Sequence, residues 1–302
     1  MKQYDYKKGL TTGIAAYLIW GLLPIYWKLI ESVHAGAVLA HRIIWSFIFM
    51  FLFLLFTKRL KQFWHECKAI IHHRRNALIV ISASLIISCN WLIFIWAVQS
   101  GYVIQASLGY YINPLVSVLF GVLFFKEKLT NAQTISTILA GIGVLYLTFS
   151  YGVFPWVSLS LAVSFAIYGV LKKWIDIESL FSLTLETILL FPIAIIYLVT
   201  VFGDSYGFLN ESFSTTALLM ASGVATAVPL LLFGISVQYI PLSTVGFLQY
   251  IAPTIMLFIG VFLYKEQFTF DHFITFMLIW ISLALFMQSS LAERKKDRKA
   301  RT

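Results

Sequence analysis

Apolar residues in this chain are gathered into ten blocks of roughly 20, the length at which a helix crosses the hydrocarbon layer of a bilayer. The blocks run 10–30, 35–57, 77–99, 103–125, 132–150, 153–171, 180–202, 216–238, 242–264 and 270–289. Inside lipid a segment must satisfy its own backbone N–H and C=O groups, which commits each block to helix. The chain is 60% hydrophobic and only 12% charged, whereas a soluble domain carries roughly 25% charged residues. The expectation is an all-α polytopic membrane protein with ten transmembrane helices. The first block follows Lys7 and Lys8, but it is too long for a signal peptide and lacks a small-residue cleavage site, so it counts as helix 1.

A second constraint is internal. Asn90–Thr130 aligns without gaps on Pro229–Thr269, at an offset of 139 residues, with twelve of 41 positions identical. The identities include Tyr111/Tyr250, Ile112/Ile251, Pro114/Pro253, Gly121/Gly260, Lys126/Lys265, Glu127/Glu266 and Thr130/Thr269. Apolar helices share residues by composition, but two prolines, two Lys-Glu pairs and two threonines in register point to duplication. Helices 3–4 thus match helices 8–9, and Tyr17…Trp20-Gly21 weakly echoes Phe165…Tyr168-Gly169. The repeat unit is five helices. An odd unit enters the membrane from the opposite side in its second copy, so the expected architecture is a 5+5 inverted-topology repeat, as in many secondary transporters. The expected divisions are 1–151, 152–289 and a basic tail, 290–302, with a basic loop at 58–76 in the first half.

Charge agrees with this orientation. Of 22 Lys and Arg residues, 19 fall on the N-terminal side of the spans, Lys172 and Lys173 among them, and Lys28, Arg42 and Lys265 fall on the other. The positive-inside rule then puts both termini in the cytoplasm. The net charge of +9 is topological, with some attraction to anionic lipid, and gives no reason to expect nucleic acid. Cys67 and Cys89 are badly placed for each other, and no disulfide framework or redox role is expected.

The repeated stretch has two parts. Lys-Glu-x-x-Thr ends an apolar block, with Glu127 and Glu266 at helix ends and Thr130 and Thr269 opening the next helices. Thr130-Asn131-Ala132-Gln133 has capping-box spacing. The structural reading is an interfacial hairpin whose glutamate reaches N–H groups of the following helix; a proton-coupling carboxylate is the sharper alternative. Pro114 and Pro253 are the midpoints of their blocks. Each removes a backbone donor and frees the carbonyl four residues earlier, which lipid tolerates only where protein or water takes it up. Tyr111, Asn113, Gln249 and Tyr250 cluster beside them. These, with Asn90, Trp20 and Tyr168, are the candidate substrate-cavity residues; packing kinks are the competing reading.

Ionisable groups inside a span cost roughly 2.5–3.5 kcal/mol at its centre and call for a reason. Arg42 lies about two turns into helix 2 from outside, and Glu186 a similar distance into helix 7 from inside, with Ser179 and Ser182 on its face. Their depths argue against a direct pair. Both are candidates for a gate or coupling site, as is Lys28, for which snorkelling also accounts. Asn90 is also open to reading as interhelical glue. Gly9-x-x-x-Gly13 and Gly223-x-x-x-Ala227 fit close helix packing without specifying an oligomer; a monomer is compatible with the sequence.

No paired-aspartate cluster, Gly-x-Ser-x-Gly, His-Glu-x-x-His or nucleotide-binding loop occurs. No catalytic residue, metal or cofactor is expected, and transport would be secondary or facilitated. The expected partners are the lipid bilayer and a small molecule. A sensor or assembly protein acting through its basic cytoplasmic segments is the alternative.

Several stretches carry a family resemblance: AYLIWGLLPIYWKLI (16–30), HRIIWSF (41–47), NWLIFIWAV (90–98), ASLGYYINPLV (106–116), ETILLFPIAIIYL (186–198) and GFLQYIAPT (246–254). With the helix count and the Pro…Glu pattern of helices 4 and 9, they resemble the EamA-type drug/metabolite transporters, and within them the RarD group. The chain departs from that pattern at Lys126, where the family has glycine before the first hairpin glutamate. The resemblance implies a multi-pass permease of the cell (plasma/inner) membrane for a small organic solute, associated in name with chloramphenicol sensitivity. It implies no particular substrate or coupling ion.

Overall fold

The computed structural model describes residues 5–100, 102–150, 152, 154–175, 177–202, 212–265 and 269–299. Its helices are α1 (Tyr6–Lys28), α2 (Ala35–Phe56), α3 (Leu60–His72), α4 (Arg74–Gln99), α5 (Val103–Phe125), α6 (Asn131–Ser150), α7 (Trp156–Trp174), α8 (Ser179–Tyr197), α9 (Phe213–Tyr239), α10 (Leu242–Leu248), α11 (Ile251–Phe258) and α12 (Phe270–Lys299). A π-helical turn extends α8 through Leu198–Phe202 and another extends α11 through Ile259–Leu263. Ten helical segments are long and apolar enough to cross a membrane, with α10, α11 and the second π-turn forming one of them. The protein is all-α and multi-pass. Ten spans return the chain to its starting side, so the bundle has a terminal end and a far end.

The basic segment 58–76 is not an open loop. Its helix α3 is amphipathic, turning Phe63, Cys67 and Ile70 into the bundle while Trp64 and Lys61 face out. Arg59, just before it, bonds Glu178 through both Nη groups, at 2.7 and 2.6 Å. That partner holds the Arg59 guanidinium above its ordinary pKa.

Helix pairing has a pattern. The principal partners are α4 with α7 and α8, α9 with α1 and α2, α5 with α7, and α11 with α1. To these are added α2 with α8, α5 with α10, and α6 with α12. Replace each span by the one five places on and this set maps onto itself. Close backbone approach makes several of these pairings possible. A Cβ on Gly223 would overlap the Trp45 carbonyl carbon, and one on Gly13 would lie 2.6 Å from Ser236 Oγ. Both small-residue motifs therefore sit in helix contacts, where dispersion rather than the hydrophobic effect drives association in lipid.

The two prolines behave differently. Pro114 lies inside a continuous α5, whereas the chain breaks at Gln249–Tyr250, between α10 and α11, one turn before Pro253. The expectation of two matching breaks is corrected by the neighbours. Helix α5 is held by α7 and α10, while α10 and α11 pack on different partners, α5 and α1. Where α5 crosses α10, a Cβ on Gly246 would stand 2.8 Å from the Pro114 carbonyl oxygen.

Lys126 and Lys265 both adopt left-handed backbone, with φ of 52° and 58°. L-residues pay for that conformation and glycine does not, which explains why glycine suits position 126. The capping box forms: the Thr130 amide donates to Gln133 Oε1 at 2.9 Å and the Gln133 amide to Thr130 Oγ1 at 3.2 Å. Thr269 pairs in the same way with His272. Glu127 departs from expectation. It reaches not the following helix but the start of α10 in the other half, accepting from the amides of Leu242 (2.6 Å) and Ser243 (2.9 Å). A carboxylate suits exposed N–H groups and the positive end of a helix dipole. Glu266 lies outside the described residues.

Candidate functional site

At the terminal end, four polar side chains close on one another. Tyr168 and Lys172 are one turn apart on α7, and Ser182 and Glu186 one turn apart on α8. Lys172 Nζ donates to Glu186 Oε1 (2.7 Å) and Ser182 Oγ (2.8 Å), Ser182 donates to Glu186 Oε1 (2.8 Å), and the Tyr168 hydroxyl donates to Glu186 Oε2 (2.9 Å). Lys172 and Glu186 are each 1% exposed. Lys172 is thus no loop charge, as its place in the topology count supposed. Its neighbour Lys173 turns inward as well, donating to the Ile240 carbonyl at 2.6 Å and lying 3.4 Å from Glu127. Those contacts tie α5, α7 and the α9–α10 connection at this end.

Beside this network lies a narrow cavity of about 10 Å³, room for about one water. Its polar and aromatic lining includes Ser46, Trp91, Tyr168, Glu186, Thr187 and Thr226. Three of these, Thr226, Trp91 and Ser46, belong to a second cluster. Arg42 Nε donates to Thr226 Oγ1 at 2.9 Å, and the guanidinium lies 4.8 Å from the Trp27 ring centroid and 5.4 Å from that of Trp91. One turn along α2, Ser46 donates to the Gly223 carbonyl at 3.0 Å. Arg42 and Glu186 make no ion pair among the described residues, in keeping with their depths.

The proline-flanking residues form a packed seam instead. Gln249 Nε2 donates to Ser117 Oγ at 3.0 Å, Ser117 bonds Asn113 Oδ1 at 3.4 Å, and the Tyr250 hydroxyl donates to the Tyr111 carbonyl at 3.3 Å. Tyr250 and Gln249 are buried, and the Tyr17 hydroxyl faces the Gln249 side chain, though among the described residues neither it nor Gln249 Oε1 makes a hydrogen bond of good geometry. Asn90 bridges α4 to α7 through the Leu161 carbonyl (2.9 Å) and Ser164 Oγ (2.8 Å). Trp20 packs among Tyr17, Phe165 and Phe233. Lys28 is exposed and pairs with Glu31.

Sequence reasoning missed Lys172, Ser182 as its partner, and the Thr226 and Trp27 contacts of Arg42. A clue to the first pair was present. Lys172 and Ser182 lie five residues either side of Ile177, and Tyr168 and Glu186 nine either side. A tight helical hairpin centred there brings each pair level.

Comparison with known proteins supports the transport reading. The model of the EamA-like transporter family matches residues 7–149 and 155–288. "Uncharacterized transporter YojE" of Bacillus subtilis is 45% identical over 99% of both chains. "Protein RarD" of Escherichia coli is 38% identical, covering 97% of this chain and 98% of its own. "Chloramphenicol-sensitive protein RarD" of Pseudomonas aeruginosa is 29% identical over 92% and 93%. A solved crystal structure aligns with a TM-score of 0.68 over 93% of this chain and 98% of its own, at 15% identity, and speaks to the fold alone. The family and the Bacillus subtilis relative carry transporter names, and none of the names is that of an enzyme.

Proposed function

From the premise that the chain belongs to the EamA-like transporter family, we propose that it moves a small organic solute across the membrane by alternating access. The two halves, 1–151 and 152–289, act as inverted repeats, with both termini and the tail 290–302 in the cytoplasm. What carries the reading is the helix pairing, which maps onto itself when the spans are shifted by five, together with a narrow cavity lined from both halves. Such an arrangement supports two near-equivalent packings, each open to one side. In the packing described, Tyr168, Lys172, Ser182 and Glu186 close the terminal end, and Glu127 and Lys173 reinforce them.

Solute enters the cavity past Arg42, at the far end. The seam of Tyr111, Asn113, Gln249 and Tyr250 is packed here, so solute contact there requires α5 and α10 to part in the opposite packing. Gln249 Oε1 and the Tyr17 hydroxyl, which face each other here, would then be free to turn to it. No nucleotide or cofactor is needed, because the solute's own gradient or a coupled ion supplies the drive.

The test is one-sided accessibility. A cysteine at Thr226, in a background lacking Cys67 and Cys89, should react with a membrane-impermeant maleimide from either side in turn. Its rate from each side should change when proteoliposomes are given metabolite extract from cells lacking the protein. Labelling from one side only, unchanged by any extract, would refute transport and favour a sensor acting through its basic segments.

A further inference from the structure

We propose that Arg42 is the docking point for an anionic group on the transported solute, a carboxylate or similarly planar oxyanion whose apolar body lies against Trp27 and Trp91. The proposal rests on the transporter reading and names the substrate class of the same site.

The cations drawn into the bundle differ in one respect. Lys172 has Glu186, and Lys173 has Glu127 and the Ile240 carbonyl. Among the described residues, Arg42 has no carboxylate within ion-pairing distance, makes its one hydrogen bond through Nε, toward Thr226, and has no partner on either Nη group. A guanidinium carries five N–H donors in a planar fork that fits a carboxylate bidentately. The part of the fork suited to that pairing is the part left over.

Two rings offset some of the cost of holding this charge in a span without occupying the Nη donors. Access distinguishes the site further. Arg42, Trp27 and Trp91 are half-buried. Lys172 and Glu186, at the closed end, are 1% exposed. A small ligand therefore meets a fixed positive charge, two indole faces and the Thr226 hydroxyl before it reaches the closed network. An aromatic cage around a protein cation inverts the usual recognition of ammonium ligands by aromatic rings. It favours an anion with an aromatic or otherwise flat body and repels a cation of the same shape.

Phenylacetate, phenylacetamide and phenethylamine are matched probes that differ in charge. Titrated calorimetrically into the purified full-length protein, phenylacetate should bind about tenfold or more tighter than the amide, and the amine weakest. Arg42→Gln should erase the difference between acid and amide. Arg42→Lys, which keeps a cation as a point charge, should retain a reduced preference and guards against a folding defect in the glutamine variant. Equal binding of the three probes, binding of none, or an unchanged preference in Arg42→Gln would overturn the proposal. Proteoliposomes on a solid-supported membrane, challenged with anionic, neutral and cationic solutes, separate this from the wider reading. Currents with cations or neutral solutes alone would end the anion proposal and leave transport standing; no transport of any solute would end both.

Discussion

Replacing Glu186 by leucine tests the closed network directly. Among the described residues, the substitution leaves the buried Lys172 ammonium with Ser182 as its one hydrogen-bond partner, beside the Tyr168 ring, and strips the Tyr168 hydroxyl of its acceptor. Breaking a buried pair from one side costs about 3–5 kcal/mol, because the remaining charge stays in a low dielectric. Lys172→Met is expected to cost less, about 1–3 kcal/mol, since the carboxylate keeps donors from both Tyr168 and Ser182. With Lys172→Met and Glu186→Leu together no charge remains, and the apolar pair of similar volume should recover most of the loss. At about 2 °C per kcal/mol for a chain of this size, Glu186→Leu lowers the apparent Tm by about 6–10 °C and the double variant by far less. Thermal ramps read by fluorescence-detected size exclusion in detergent give the four corners of the cycle, as apparent values, because such unfolding is irreversible. If the double variant falls by the sum of the two single losses, the groups are not coupled and the reasoning from their geometry fails.

Gly223→Ala should lower the apparent Tm by about 6 °C, since its Cβ would overlap the Trp45 backbone and cost about 3 kcal/mol in overpacking, while Gly141→Ala, with nothing within 4 Å, should be neutral or stabilising. Lys126→Gly should raise it by about 2 °C through relief of the left-handed backbone, worth about 1 kcal/mol. Burial pushes the Cys67 thiol up to about 11. In folded protein it should carry about 100-fold less thiolate than an ordinary thiol at neutral pH, with maleimide labelling increasing as pH rises toward that value and reaching the ordinary rate once the protein is denatured.

What could be read from residues alone follows the range of the interaction. Spans depend on local composition, and all ten emerge from it. The Thr130–Gln133 box and the contact at Gly223 depend on spacing within a few residues, and both are present. Lys172 was misjudged because a topology count assigns a charge by its place in the chain, whereas its long stem lets the ammonium fold back to an acceptor on the next helix. Glu127 at a helix end signals a need for donors, but the donors lie 115 and 116 residues away. Pro114 and Pro253 have nearly the same neighbours in sequence and unequal backbones, because the helices pressing on them differ. Arg42 was visible as an expensive charge; its rings and Thr226 come from three other helices and leave no mark near it in the sequence.

The proposed exchange between two packings makes a directional claim about the Lys-Glu repeats. Glu127 holds the first amides of α10, at Leu242 and Ser243. At the repeat offset those residues correspond to Val103 and Ile104, the first of α5, and Glu127 corresponds to Glu266. If the halves trade roles, Glu266 takes the α5 amides in the opposite packing and closes the far end as Glu127 closes the terminal end. Glutamine at either position keeps one acceptor and loses the charge, and with it about 1–2 kcal/mol of whichever packing that residue closes. Such a loss moves a two-state ratio by a factor of about 5–30. A cysteine at Ser46, on the cavity wall, reports the ratio through its maleimide rate from the terminal side. Glu127→Gln should speed that labelling and Glu266→Gln should slow it. Movement of both in the same direction would mean that the repeated glutamates are only helix-end caps, and that the pairing pattern records ancestry without a working exchange.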